Sequence, residues 1–344
     1  MADSAGTRRI IFPAIRRATW ESVTLPAPDQ LAPTQVLVRL ACTLVSAGTE
    51  TAIYSGAHIG FTDPQATYPR MPFSPGYAAA GTVEAVGRDV TQLQPGDRVF
   101  GALPHADHAV ADMSRGALLP LPGGVTFEQG CLARLAGIAM QGVRLAGLRF
   151  GERAAVFGQG LIGQFARQLV TLDGATTVVA VDPIVPRLDV ARRHGATHTV
   201  DPSEEDVQAA IRAATGGQGV DVSIEATGNP AVIVDALKAA GIMGRVVLLG
   251  SPRGKVEIDP YNDVHRKGVS IIGAHANTAA SAPNQYNRFT TGEQLQVAVE
   301  LMRQGRLRTD GLVSHHLQAA DALGIWDELL ARPRDYLGVI IRWS

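Results

Sequence analysis

The sequence predicts an α/β protein of two domains: a β-rich first domain, then a doubly wound parallel sheet. Three observations predict it. The chain has 344 residues, more than one compact core usually holds. Its texture changes near Thr126, from short apolar runs broken by Pro and Gly to alternating strand-like and helix-like runs. At one strand-to-helix junction of the second part stands Gly158-Gln159-Gly160-Leu161-Ile162-Gly163.

Before Thr126, Gln35–Leu40, Gly81–Gly87 and Asp97–Phe100 read as short strands, with Pro69, Pro72, Pro75-Gly76 and Pro95-Gly96-Asp97 as turn signals between them. Short strands with regular turns suggest a barrel-like all-β domain. After it, Glu128–Leu145 has no proline and carries spaced apolar residues, so it reads as a helix. Strands at 153–157, 177–181, 197–200, 220–225, 245–250 and 269–273 then alternate with helices at 161–172, 186–194 and 230–240 and with an acidic helix start at 203–206. Such alternation implies right-handed βαβ units and a parallel sheet. Helices near 293–304 and 319–331 and a strand at 336–342 end the chain.

Composition narrows the function. A net charge of −1 offers no electrostatic grip on nucleic acid or anionic lipid, and 5% aromatics make no base-stacking platform. With 46% hydrophobic and 18% charged residues, the balance is that of an ordinary soluble protein. Two isolated cysteines, Cys42 and Cys131, make neither a disulfide framework nor a zinc ribbon. Met1 to Arg17 lacks the apolar core of a secretory signal, and no apolar run reaches membrane-span length, so the cytoplasm is the simplest address.

The glycine loop carries the strongest chemical signal. It follows an apolar strand and opens an apolar helix, as a dinucleotide site requires. Gly158 permits the tight turn, Gly160 lets the backbone approach a pyrophosphate, and Gly163 allows close helix–strand packing; Leu161 and Ile162 open the helix whose N-terminus faces the phosphates. Asp182 ends the next strand, 19 residues after Gly163. A carboxylate there accepts hydrogen bonds from the adenosine ribose and repels a 2′-phosphate, favouring NAD over NADP. Two other readings stay open: a glycine-rich turn without ligand, and Asp182 as a helix cap. Arg187, near the adenosine edge, keeps NADP possible.

Taken together, Gly76–Gly87, Pro95-Gly96-Asp97-Arg98-Val99, Ala226-Thr227-Gly228 and Leu249-Gly250-Ser251 resemble the medium-chain dehydrogenase/reductase superfamily across nearly the whole chain. The resemblance implies a GroES-like β-barrel domain (1–125 with 290–344) that binds substrate, and a Rossmann domain (126–289). It implies that Gly250, Ser251, Gly273 and Ala274 border the nicotinamide, that Thr227 lies beside the cofactor, and that two copies form a homodimer through the last Rossmann strand near Ile271. Where zinc alcohol dehydrogenases carry a C-G-T-D-like stretch, this chain reads Ala47-Gly48-Thr49-Glu50; where they carry G-H-E, it reads Gly76-Tyr77-Ala78. The four-cysteine structural zinc lobe is absent too. Alanine and tyrosine supply no tetrahedral zinc site, so the expected enzyme needs no metal. The Gly48-Thr49-Glu50 and Gly76-Tyr77 combination also resembles the bacteriochlorophyllide-type branch, a hint toward biosynthetic alcohol oxidation.

Without a metal, a donor must stabilise the charge that hydride transfer builds on oxygen. The candidates are Thr49, at the position of the family's hydroxyl relay, Tyr77 at the former ligand position, and Glu50 and His58 on the same segment, with Tyr54 facing substrate. His58 suits proton exchange near neutrality. Each has a structural alternative: helix cap, space-filler, loop anchor, solvated loop. His275 and Asn277 are second-rank pocket residues, and Ala274 to Phe289 reads as a substrate-facing loop or oligomer contact. His105, His108 and His315 are too scattered to rank. The leading expectation is hydride transfer between NAD(H) and a secondary alcohol or ketone on a small or polyhydroxylated substrate. The alternatives are an NADPH-dependent quinone or enoyl reductase and a non-catalytic NAD-binding protein. No nucleic-acid or membrane partner is expected.

Overall fold

The computed structural model describes residues 7–116, 118–280, 282 and 289–343. Two compact units divide the chain, 1–134 with 313–344 and 135–312. The expected boundaries at 125/126 and 289/290 shift accordingly. α-Helix 291–303 belongs to the second unit because Gln294 donates to Gln141 Oε1 at 3.0 Å there, and Leu295 closes on Gly137 so tightly that a Cβ would meet it at 2.6 Å.

In the first unit, β1 (Thr7–Ala14) and β2 (Arg17–Val23) form an antiparallel hairpin. Next come β3 (Gln35–Leu44), α1 (Thr49–Ser55), β4 (Ala79–Val86), β5 (Arg98–Gly101), β6 (His108–Asp112) and β7 (Leu118–Pro120). The chain returns late with β14 (His315–Gln318), α8 (Ile325–Ala331) and β15 (Val339–Arg342). Their seven-stranded sheet runs β14-β15-β3-β4-β5-β7, with β6 also on β3. β3 sits at its centre and is mostly buried, which suits its Val- and Leu-rich sequence. Two cores result: Val36, Val38, Leu40, Val83 and Val99 in one, Phe12, Ile53, Tyr54, Trp326 and Ile341 in the other. In the second, the Phe12 ring meets Tyr54 and Trp326 edge-on at 5.1 and 4.8 Å, a favoured aromatic geometry.

α2 (Phe127–Ala146) leads out of the first unit. The second unit holds β8 (Arg153–Phe157), α3 (Leu161–Leu172), β9 (Thr177–Val181), α4 (Val185–Arg193), β10 (His198–Val200), α5 (Val207–Ala214), β11 (Val220–Glu225), α6 (Pro230–Ala239), β12 (Ala240–Leu248), β13 (Ser270–Gly273) and α7 (Thr291–Arg303). Every strand pair is parallel, in the order β10-β9-β8-β11-β12-β13, the doubly wound order of the Rossmann fold. β8, β9 and β11 are buried nearly throughout, as strands covered on both faces must be.

Local chemistry sets the helix starts. Asp206 accepts from Ala209 N at 2.7 Å, so the acidic run expected to open the helix, 203–206, is a turn and cap, and the helix begins after it at Val207. Asn229 accepts from Ala231 N, with Pro230 at the first helical position. Thr290 and Glu293 close a capping box on α7. The expected helix 319–331 divides into a 3-10 turn (Ala319–Gly324) and α8. No helix among the described residues is long and apolar enough to cross a membrane.

Candidate active site

In a parallel sheet all carboxyl ends share one edge, and the order reverses between β9 and β11, on either side of β8. The glycine loop lies at that reversal, where doubly wound sheets bind ligands. Its glycines answer different constraints. Gly158 has φ +88°, and a Cβ there would lie 2.7 Å from Thr227 Cγ2. A Cβ on Gly163 would lie 1.8 Å from the Gly158 carbonyl oxygen, so only glycine lets α3 pack on the loop. A Cβ on Gly160 would meet nothing within 4 Å. The protein itself therefore does not demand glycine there; a ligand on the open backbone would. Gly160 caps α3 without a side-chain acceptor, which leaves first-turn N–H groups to an anion.

Asp182 is 4% exposed. One carboxylate oxygen accepts from Gln159 N at 2.6 Å, the other from Ile184 N at 2.9 Å, and Arg187 Nη1 stands 3.9 Å away. Burial pushes its carboxyl above the usual range, against the two N–H bonds and the guanidinium. Ile184, not Asp182, is the N-cap of α4. Glu225, at the end of β11, accepts from Thr227 N at 2.6 Å, Gly228 N at 3.0 Å and the Thr227 hydroxyl. It thereby shapes the turn that carries Thr227. Gly250 packs on the same turn: a Cβ there would lie 2.3 Å from Gly228 N. Ser251 is exposed beside it, its carbonyl 2.6 Å from where a Gly228 Cβ would stand. Gly273 ends β13 and Ala274 follows it, Ala274 N donating to Leu248 O at 3.0 Å.

In the first unit the structure brings Thr49, Glu50 and Tyr77 together around Ser46. The Ser46 hydroxyl and the Tyr77 phenol are 2.5 Å apart, and the Thr49 hydroxyl acts on the same phenol. The Arg134 guanidinium sits 5.9 Å from the Tyr77 ring centroid. Burial raises the Tyr77 pKa, and the Glu50 charge adds to this; the Ser46 and Thr49 hydroxyls and Arg134 oppose it.

Glu50 is not placed to act on substrate. It is 1% exposed, and its carboxylate accepts from Ser46 N (3.2 Å), His105 Nε2 (3.1 Å) and Trp326 Nε1 (3.0 Å). A carboxylate only accepts, so Nε2 of His105 carries a proton. His105 Nδ1 lies 2.7 Å from the Thr43 hydroxyl, which accepts from Trp343 Nε1 at 2.9 Å. Glu50 is thus a buried charge, stabilised by three donors from separate segments. Tyr54 is also corrected. It is 2% exposed in the aromatic core and its hydroxyl donates to Asp327 at 3.0 Å; burial and that carboxylate push its pKa up to about 12. His58 caps a 3-10 turn, accepting from Gly60 N at 3.1 Å, with its ring edge-on to Tyr68 at 5.6 Å.

His275 and Asn277 are exposed, in a turn where His275 Nδ1 accepts from Asn277 N at 3.1 Å. Residues 281 and 283–288 of the expected substrate loop lie outside the described residues. Sequence reasoning missed Ser46, His105, Trp326, Arg134 and Glu225. Only Glu225 carried a local signal, an acid at a strand end before Thr227-Gly228. The others join Glu50 or Tyr77 from distant segments.

A two-unit chain with a Rossmann sheet, an open glycine loop and a hydroxyl cluster in a β-rich partner unit has the parts of a nicotinamide-dependent oxidoreductase. Comparison with known proteins agrees: residues 32–143 match the alcohol dehydrogenase GroES-like domain and 162–295 the zinc-binding dehydrogenase family. D-guloside 3-dehydrogenase of Escherichia coli is 32% identical over 244 residues, 70% of this chain and 69% of that one. D-xylulose reductase of Saccharomyces cerevisiae is 24% identical across 99% of both chains. The crystal structure of 2R,3R-butanediol dehydrogenase from Bacillus subtilis superposes with a TM-score of 0.81 at 25% identity, covering 98% of this chain and 99% of that one. The chain belongs to the medium-chain dehydrogenase/reductase superfamily and is an NAD(P)-dependent enzyme of that class.

Proposed function

We infer that the protein interconverts a secondary alcohol and a ketone on a polyhydroxylated substrate, using NAD(H) and no metal. One observation carries the reading: Tyr77 stands, bonded to Ser46 and beside Thr49, at the position where zinc relatives hold a ligand. The donor set does not fit zinc. Ala47 offers no ligand atom, the Tyr77 oxygen is engaged by the Ser46 hydroxyl, the Glu50 carboxylate by three N–H donors, and the Arg134 cation lies over the phenol. The family profile's zinc-binding description thus does not extend to these residues.

A nicotinamide bound at the glycine loop would supply or accept the hydride. Gly160 and the α3 N-terminus would hold its pyrophosphate, and Asp182 with Arg187 the adenosine ribose; the turns at Thr227, Gly250-Ser251 and Gly273-Ala274 would border the ring. The Asp182 carboxylate disfavours a 2′-phosphate. Tyr77 donates to the substrate oxygen as charge builds there, and in ketone reduction gives up its proton to that oxygen. Burial and the Glu50 charge keep the phenol protonated, which suits a donor. Thr49 supports the same oxygen. A biosynthetic role rests on the bacteriochlorophyllide-type resemblance alone. A homodimer is supported by the exposed Ile242 and Met243 of β12 and Ile271 of the last strand, β13.

The test is a cofactor titration with a panel of polyols, sugars, ketones and enones, on protein whose metal content is measured. Ketone or polyol turnover with NAD(H), surviving chelation, is expected. Stoichiometric zinc refutes the metal-free reading, and enone turnover alone promotes double-bond reduction.

A further inference from the structure

We propose that Ser46 is a positioning residue of the reaction: its hydroxyl donates into the Tyr77 oxygen and so frees the phenol proton for the substrate. The proposal rests on the alcohol–ketone reading. Its first support is confinement. Ser46 is 6% exposed, and among the described residues the Tyr77 oxygen, at 2.5 Å, is the partner of its hydroxyl. If Tyr77 donated to Ser46, the buried Ser46 proton would lack an acceptor at a real cost. If Ser46 donates, its own buried proton is placed on the Tyr77 oxygen, and the Tyr77 proton is left for Thr49 or the substrate.

The second support is the way Ser46 is held. Glu50 grips its backbone twice: Ser46 N donates to the Glu50 carboxylate at 3.2 Å, and Glu50 N donates to Ser46 O at 2.9 Å. His105 Nε2 and Trp326 Nε1 fix that carboxylate in turn. The rotamer of Ser46 therefore starts from a backbone locked by a buried charge, which is what an oriented hydrogen bond needs. Thr49, the other hydroxyl on Tyr77, opens α1 directly after this grip. The charged and titratable groups acting on Tyr77 are Glu50, Arg134 and Tyr68.

When the phenol gives its proton to a carbonyl oxygen, its own oxygen becomes anionic. A donated Ser46 hydrogen bond stabilises that anion more than the neutral phenol. The benefit appears in the transition state, so it changes kcat and not KM.

The experiment compares Ser46→Ala, Ser46→Thr, Tyr77→Phe and the Ser46→Ala/Tyr77→Phe double variant in ketone reduction. The Tyr77 hydroxyl proton is followed by NMR, assigned by its loss in Tyr77→Phe. Ser46→Ala is expected to lower kcat about tenfold, the acidity equivalent of one ordinary hydrogen bond, with KM unchanged and Ser46→Thr largely restoring it. It should add nothing once Tyr77 is phenylalanine, and it should move the hydroxyl resonance. An additive double variant or an unmoved resonance overturns the proposal. Wild-type protein that reduces no ketone refutes the alcohol–ketone reading instead, while the resonance still decides whether Ser46 governs Tyr77.

Discussion

Replacing Glu50 by Gln tests the anchor beneath the hydroxyl cluster. The amide keeps one acceptor oxygen. Turned toward His105 and Trp326, it leaves Ser46 N–H facing an NH2 group; turned the other way, it leaves Trp326 Nε1–H unpaired, and His105 Nε2–H too unless the imidazole moves that proton to Nδ1. Either orientation orphans at least one buried donor, at about 1–3 kcal/mol, and the remaining bonds lose their charge assistance, about 1 kcal/mol each. Relief of the buried carboxylate's desolvation offsets part of this. A net loss of about 2–3 kcal/mol follows, which lowers the melting temperature by about 4–12 °C for a unit of this size. Calorimetry should show the first unit's transition moving and the second unit's staying. A shift below about 2 °C would mean that the three donors do not depend on a charge, and Glu50 would not be the ionised anchor of the cluster.

Four further substitutions separate local roles. Gly160→Ala should leave stability unchanged, since its Cβ meets nothing within 4 Å, yet weaken NADH binding, read by fluorescence, about a hundredfold; wild-type binding would refute a pyrophosphate there. Gly163→Ala, whose Cβ would stand 1.8 Å from the Gly158 oxygen, should lower stability by about 2–3 kcal/mol as well as binding. Asp182→Asn keeps an acceptor for Gln159 or Ile184 and should narrow the NAD-over-NADP preference about tenfold to a hundredfold in kcat/KM; a wild-type NADP preference contradicts the ribose assignment. Burial, opposed by Asp310, lowers the His194 pKa from its ordinary 6.5. The folded state then binds fewer protons than the unfolded one, so its stability is full above 6.5 and falls as pH drops below. Denaturation of wild type and His194→Gln at pH 7 and pH 5 should show this loss shrinking in the variant.

The sequence by itself determined whatever depends on near neighbours. The strands of the second unit, with the residue types of a buried parallel sheet, and the three glycines follow from local periodicity and sterics. Strand 153–157, helix 161–172 and strands 177–181 and 220–225 stand as expected. The proposed metal-free reading also starts in the sequence, because Ala47 and Tyr77 hold positions within recognisable motifs. Only the tertiary structure decided what Glu50 and Tyr54 do. Both sit on α1 beside a candidate hydroxyl and look like site residues, but Trp326 and Asp327, on α8 far along the chain, take up their polar atoms. A carboxylate's role is set by which donors surround it, and those donors come from the turn after β3, the His105 loop and α8, which no local pattern connects. Ser46 stayed hidden for the same reason: a serine before a helix looks like any turn residue until the fold places a phenol 2.5 Å from its hydroxyl.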